Sequence, residues 1–266
     1  MLLIGATACG AEFTRDTGGV DAADPVEAGA DRAAGDGAPD ADPPAVAEGL
    51  LLWLRADLGV TESSGAISEW SDQSGNQLHA RQVEAARQPT LATTGVGGRP
   101  AILFNAEDFL SLPSGFNDFT RGVSIFVVAL VSDTTVMCAD FVHLSNGPEI
   151  DDIAVGRHSG RAQYEVLQGV LGGSDFSLGR PHIVSVIHDT DESISMRFDG
   201  GQRAQGTFAL PAAVTRLTNV IGRSLYADCG SVHGALAEVL VYQRALTDAE
   251  RLRVETQLQN RWSCCR

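Results

Sequence analysis

From Gly49 onward, short apolar runs alternate with clusters of Gly, Asn, Asp, Ser and Pro. They recur at intervals of about 8–15 residues, a spacing that predicts a β-sandwich rather than βαβ units. Strands are expected at Leu50–Asp57, Ala66–Trp70, Pro100–Phe104, Asp108–Leu112 and Gly122–Val131. Further strands are expected at Ala162–Gln168, Pro181–Asp189, Ser193–Gly200 and Ala235–Gln243. Ser124–Val131 is apolar on both parities, as in a central strand covered on both faces. Ile194, Met196 and Phe198 alternate with Ser195, Arg197 and Asp199, predicting one wet face, and Asp199-Gly200-Gly201 predicts a hairpin turn. Only Asp248–Trp262 has helical periodicity. There Val254, Leu258 and Trp262 recur at i, i+4, and Thr247 with Glu250 makes a T-x-x-E capping box. About a dozen strands and one terminal helix fit within one core.

Upstream of Gly49 this pattern disappears. Residues 10–48 are rich in Ala, Asp, Gly and Pro, and ten acids stand there against Arg15 and Arg32, so the segment carries -8 of the chain's net -15. Too few large apolar groups are present to offset the ~1–2 kcal/mol per residue of ordering entropy, which predicts a disordered, self-repelling tether. Residues 1–9, MLLIGATAC, resemble the lipobox of bacterial lipoproteins. Ala6, Thr7 and Ala8 stand at its small-residue positions and Cys9 at its lipid acceptor. The stretch has no positive n-region and is short for a signal peptide, so the resemblance implies a leader cut short at its start; the alternative is an ordinary apolar terminus. Gly10 after the cysteine implies, by the same resemblance, an outer-membrane or cell-surface location. The expected organisation is a leader remnant over 1–9, a linker over 10–48 and one domain over 49–266.

The charge balance narrows the function classes. Thirty-four acids face 19 basic residues, and a negative surface repels phosphate backbones, so nucleic acid is not an expected partner. All 19 cations are arginine; with no lysine, Schiff-base chemistry and a P-loop are excluded. No apolar run approaches the roughly 18 residues of a spanning helix, so membrane contact is expected only through a lipid on Cys9.

Several motifs carry a family likeness. They are Trp70, Asp72, Ser74, Gly75 and Asn76 in WSDQSGN; Pro100 and Phe104 in RPAILF; and Gly234, Glu238, Tyr242, Arg244 and Leu246 before the terminal helix. Together they resemble the laminin-G-like, concanavalin-A-like jelly-roll domains of secreted bacterial proteins. The likeness covers most of Leu50–Trp262 and is weak over residues 132–180. It implies an all-β, two-sheet antiparallel jelly roll with one C-terminal α-helix. That architecture hosts lectins, adhesion modules and glycoside hydrolases alike. Read on their own, these residues are structural: Asp72 suits an Asx-turn, and Glu238, inside an apolar strand, needs a partner for which Arg244 is the nearest candidate.

Each candidate for chemistry has a plain counterpart. Glu149 and Asp151 in PEIDDIAVG match the first two carboxylates of the laminarinase-type E-x-D-x-E motif, but the acid position holds Ile153 or Ala154. The six histidines follow no zinc spacing. Asp189, Asp191 and Glu192, or Glu149, Asp151 and Asp152, offer clustered oxygens for calcium, and no other cofactor is expected; acidic surface loops are the alternative. Sugar recognition needs exposed aromatic rings, and Tyr226 with Asp228 in the loop Ser224–Ser231, and Tyr164 on an expected concave strand, are the candidates. With Cys9 lipidated, Cys138, Cys229, Cys264 and Cys265 remain, an even number suited to an oxidising exterior. A vicinal ring is strained, so the expected pairing joins Cys138 and Cys229 each to one of the terminal pair. The leading expectation is a surface-anchored, non-enzymatic module binding an extracellular glycan or protein. A glycoside hydrolase or lyase and a structural envelope or adhesion component are the alternatives.

Overall fold

A computed structural model describes residues 42–265 except 106, 134–136 and 168, with only the backbone of Gln202 described. Cys9 and the tether up to residue 41 lie outside the described residues. The strands are β1 (Leu50–Arg55), β2 (Val60–Ser63), β3 (Ala66–Trp70), β4 (Ala80–Arg81), β5 (Thr90–Val96), β6 (Arg99–Phe104), β7 (Leu110–Leu112), β8 (Val123–Val131) and β9 (Cys138–Ser145). They continue as β10 (Ile153–His158), β11 (Arg161–Val166), β12 (Gly169–Asp175), β13 (Pro181–His188), β14 (Ser193–Phe198), β15 (Gly201–Thr207), β16 (Thr218–Ile221) and β17 (Gly234–Tyr242), before helix α1 (Asp248–Trp262).

Antiparallel pairing joins β1–β17–β8–β13–β14–β15 in one layer. The other layer runs β2–β3–β4–β7–β16–β9–β10–β11–β12. β6 connects them, pairing with the start of β17 and with β5, which in turn touches β3. The inward side chains of both layers form one buried cluster, as in the all-β jelly-roll sandwich. β8 is buried along almost its whole length, as its two-sided apolar pattern predicts, with β17 and β13 flanking it and α1 packed on β13 beside it. The hairpin forms at Asp199 and Gly200, both with positive φ (51° and 76°). The capping box closes as expected: Thr247 accepts from Glu250 N, and Glu250 reaches back to Thr247 N. Val254, Leu258 and Trp262 are buried beneath α1.

Two pairings differ from expectation. Glu238 is fully buried, and its partner is Arg261 rather than Arg244: Arg261 Nη1 donates at 2.6 and 2.8 Å, and the indoles of Trp53 and Trp262 donate at 2.6 and 2.7 Å. Arg244 turns instead to Glu250, at 2.7 and 3.0 Å, and to the Glu48 carbonyl. Cys138 is bonded to Cys229, with Cα atoms 4.9 Å apart, and Cys264 to Cys265. The expected cross-pairing fails because the helix end packs on the other layer, where Cys265 Sγ lies 3.3 Å from the Pro181 carbonyl at the head of β13, whereas Cys138 heads β9.

Candidate functional site

The polar cluster of the molecule is assembled by strand register. β9 and β10 place His143 opposite Ala154, Asp140 opposite Gly156 and Cys138 opposite His158. β10 and β11 place Ala154 opposite Glu165 and Gly156 opposite Gln163. Residues three apart on a regular strand face opposite sides, so Asp140 and His143 share a face only because the register shifts beside Val155 and Gly156. The extra residue, Phe141, stays in the core. The floor of this face is kept low by Ala154 and Gly156; a Cβ on Gly156 would overlap the Ala139 carbonyl and the Asp140 carboxylate.

Across this floor runs a closed hydrogen-bonded ring. His158 Nε2 contacts Asp140 Oδ1 at 2.7 Å, and His143 Nδ1 contacts Asp140 Oδ2 at 2.9 Å. His143 Nε2 then meets Asp152 Oδ1 at 3.1 Å. The Tyr226 hydroxyl bridges Asp152 Oδ2 (3.1 Å) and Glu165 Oε1 (2.8 Å). Gln163 Nε2 closes the circuit to Glu165 Oε2 and His158 Nδ1, both at 3.2 Å. Because the Gln163 amide donates, His158 Nδ1 accepts and its proton sits on Nε2, aimed at Asp140.

Burial alone would push His143 down, but the Asp140 and Asp152 carboxylates outweigh it and hold the imidazole protonated, with its pKa raised to about 9. The Leu225 N–H lies 3.2 Å from the same Nδ1, and that contact gives way, since a nitrogen donating to Asp140 has no lone pair left. Asp140 is correspondingly held well below the usual carboxylate range: burial opposes this, and hydrogen bonds from the two histidines overcome it. Tyr226 is pushed strongly upward, first by burial and then by its Glu165 and Asp152 neighbours, so it remains a neutral phenol.

Tyr226 is delivered by the loop Ser224–Ser231. The Cys138–Cys229 bridge pins that loop, the Gly230 N–H bonds the Cys138 carbonyl at 3.0 Å, and the Tyr226 ring stands 5.1 Å from the His143 ring. Asp140, His143 and Asp152 are buried, while Glu149, His158, Glu165, Leu167 and Tyr226 line an open cleft of about 470 Å³. The arrangement offers hydrogen-bond acceptors and a phenol edge held fixed by a buried ion network, a geometry suited to hydroxyl groups.

Of the residues singled out from sequence, Tyr226 lines this cleft. Asp228 is exposed and does not belong to its walls. Tyr164 requires correction. It is fully buried between the layers, with its hydroxyl 3.1 Å from His188 Nδ1, because strand parity turns Ala162, Tyr164 and Val166 inward. The carboxylates of Asp189, Asp191 and Glu192 do not converge among the described residues. Asp189 accepts from Thr190 N and Asp191 from Ser193 N within their own turn. Glu149, Asp151 and Asp152 also diverge: Glu149 lines the cleft, Asp151 takes Asn146 Nδ2 at 2.9 Å, and Asp152 points inward. Cys138, Cys229 and His158 bring one ligand atom each within 4.8 Å, but the two sulfurs are bonded to each other. Sequence reasoning missed Asp140, Gln163 and Glu165, and left His143, His158 and Asp152 unconnected. The D-x-x-H spacing of Asp140 and His143 was the available signal, and only a bulge makes it meaningful.

No protein-family model matches the chain, and no curated protein matches it in sequence. Solved structures do share its fold. The chain is similar to the Trypanosoma rangeli sialidase in complex with sialic acid, at a TM-score of 0.57 and 15% identity, covering 82% of this chain and 34% of the sialidase. It therefore spans about a third of that protein's length. It is similar to the binding domain of Paraclostridial Mosquitocidal Protein 1, at 0.60 and 13%, covering 81% of this chain and 53% of the other. Domain 4 of AbnA, a GH43 extracellular arabinanase from Geobacillus stearothermophilus in complex with arabinotriose, matches at 0.55 and 13%, covering 77% of this chain and 97% of that domain. At these identities the likeness establishes the β-sandwich fold.

Proposed function

We propose that this chain is a carbohydrate-binding module whose ligand lies in the Tyr226 cleft, and that the ligand there is a neutral glycan. The carrying observation is the ring Glu165–Tyr226–Asp152–His143–Asp140–His158, which fixes its outer members before any ligand arrives. Hydroxyl groups can donate to Glu149, to Glu165 and to the Tyr226 hydroxyl oxygen, whereas the local carboxylates disfavour an anionic sugar. Arabinotriose on a domain of the same fold supports this reading. A protein ligand would need a broader apolar surface than the single Leu167 this cleft supplies. We further propose that the module is displayed on a bacterial envelope through lipid on Cys9.

Glycan-array binding followed by calorimetry of the full chain tests the site. Neutral oligosaccharides should bind, with Tyr226→Phe and Glu165→Gln each weakening affinity about tenfold or more in protein whose unfolding transition lies well above the assay temperature. Absence of neutral-glycan binding, or binding indifferent to both substitutions, would sink the proposal. A second reading rests on Glu149 and Glu165 lining one cleft with His158, a carboxylate pair of the kind glycoside hydrolysis uses. Release of reducing sugar that is abolished by Glu165→Gln would establish it in place of simple binding.

A further inference from the structure

Besides the Tyr226 cleft, the described residues form a groove of about 1180 Å³ beside α1. Its charge is opposite to that of the protein. Arg55, Arg99, Arg253 and Arg261 line it, against Asp42 and Asp57, in a chain of net charge -15. Two of these arginines are almost fully buried, Arg55 at 4% and Arg261 at 7% exposure. Arg55 gives Nε and Nη2 to Asp57, both at 3.0 Å, and Arg261 gives Nη1 to Glu238. Arg55 Nη1 and Arg261 Nη2 have no hydrogen-bond partner. Both nitrogens are closed off from solvent, so they lie behind the groove wall, and the cations that a ligand in the groove can reach are those of Arg99 and Arg253. Both guanidinium groups also stand over the Trp53 ring, at 5.5 and 5.7 Å, which holds them in place.

The rim adds to this floor. Arg99 is half exposed and shares Asp57 at 3.2 Å, so Asp57 is neutralised twice over. Arg253 is exposed on α1 and makes no ion pair among the described residues. Thr256 and Asn260 stand on the same wall as hydroxyl and amide groups. Planar guanidinium forks match carboxylates, and neutral polar side chains match sugar hydroxyls. We propose that this groove is a second binding site, distinct from the Tyr226 cleft, for an oligosaccharide bearing carboxylates, that is, a chain of uronic acid residues.

The test uses the full-length chain and calorimetry with a galacturonic acid hexamer, a neutral galactose hexamer and a hexa-aspartate peptide. The uronide should bind at least about tenfold more tightly than either comparison ligand and weaken with added salt. Arg99→Glu and Arg253→Glu, both at exposed positions, should each cut uronide affinity about tenfold while the thermal transition stays in place. Equal binding of the neutral hexamer, no uronide binding, or uronide binding unaffected by both substitutions would overturn the assignment. Tighter binding of the aspartate peptide would overturn it too, by making the groove a peptide site.

Discussion

Glu238 illustrates what a carboxylate needs at the centre of an apolar strand. Four donated hydrogen bonds, two from Arg261 and one from each of two indoles, replace the water it gave up. Glu238→Ala leaves Arg261 buried without its counter-ion, so the variant should lose about 3–5 kcal/mol in urea unfolding; an unchanged midpoint would contradict the assignment. His143 makes a prediction in pH. Its folded pKa is raised to about 9 from an unfolded value near 6.5, so its stabilisation is complete below about 6.5 and is lost as pH rises through about 9. The depressed Asp140 adds stability that is present above about 3.9 and lost as pH falls further. The melting temperature should therefore decline on the alkaline side, and His143→Gln should flatten that decline. At this scale the sequence was readable where one neighbour decides the outcome. Glu238 announced its burial through Leu236, Ala237, Val239 and Leu240, but its partner depended on where α1 came to rest. Tyr164 and Tyr226 looked alike as aromatic candidates, and strand parity, fixed by pairing with β10, sent one inward.

Among the elements, β8, β13, β17 and α1 were legible because burial on both faces, or a cap, is written locally in their residues. β9, β10 and β12 were not. Each interrupts its apolar run, β9 with Asp140 and His143 of the ion network, β10 with Arg157 and β12 with the Gly172-Gly173 pair. The weak likeness over residues 132–180 thus falls on the stretch that holds most of the candidate site. The bulge on β9 is its least legible part, since it is a property of two strands together. Gly156→Ala tests it. The added methyl meets the Asp140 carboxylate and strand backbone, so stability should drop by about 1–3 kcal/mol and the His158–Asp140 contact should open. A shift of the His158 imidazole resonances would report the opening, and a neutral effect on both counts would remove the bulge from the argument. The Cys138–Cys229 bridge acts on the loop in a related way, tying it to the head of β9 across 91 residues of sequence. Its replacement by serines should cost about 2–4 kcal/mol and weaken glycan binding further by releasing Tyr226.

At the scale of the whole molecule, charge is divided unevenly. Eight acids against two arginines precede Asp42, while the arginine groove lies on the sandwich. The expected domain start at Gly49 rests on the strand pattern, yet the chain is engaged earlier. Val46 is 5% exposed within the core, and its carbonyl accepts from the Tyr242 hydroxyl at 3.1 Å. Gln257 of α1 holds the Ala45 N–H and the Pro43 carbonyl, each at 2.8 Å, and Arg244 holds the Glu48 carbonyl at 3.0 Å. None of this is visible in Pro43–Glu48 as sequence, because a single valine among small and acidic residues has no periodicity to show. A chain beginning at Asp42 should therefore unfold at the same urea concentration as the full protein. One beginning at Gly49 should lose on the order of 2–4 kcal/mol, from the buried valine and the lost hydrogen bonds. It also strips partners from Arg244 and Gln257 where α1 meets the sandwich, so its loss should come with faster amide exchange across α1. Equal stability of the two shortened chains would place the working boundary at β1 and reduce the upstream contacts to decoration.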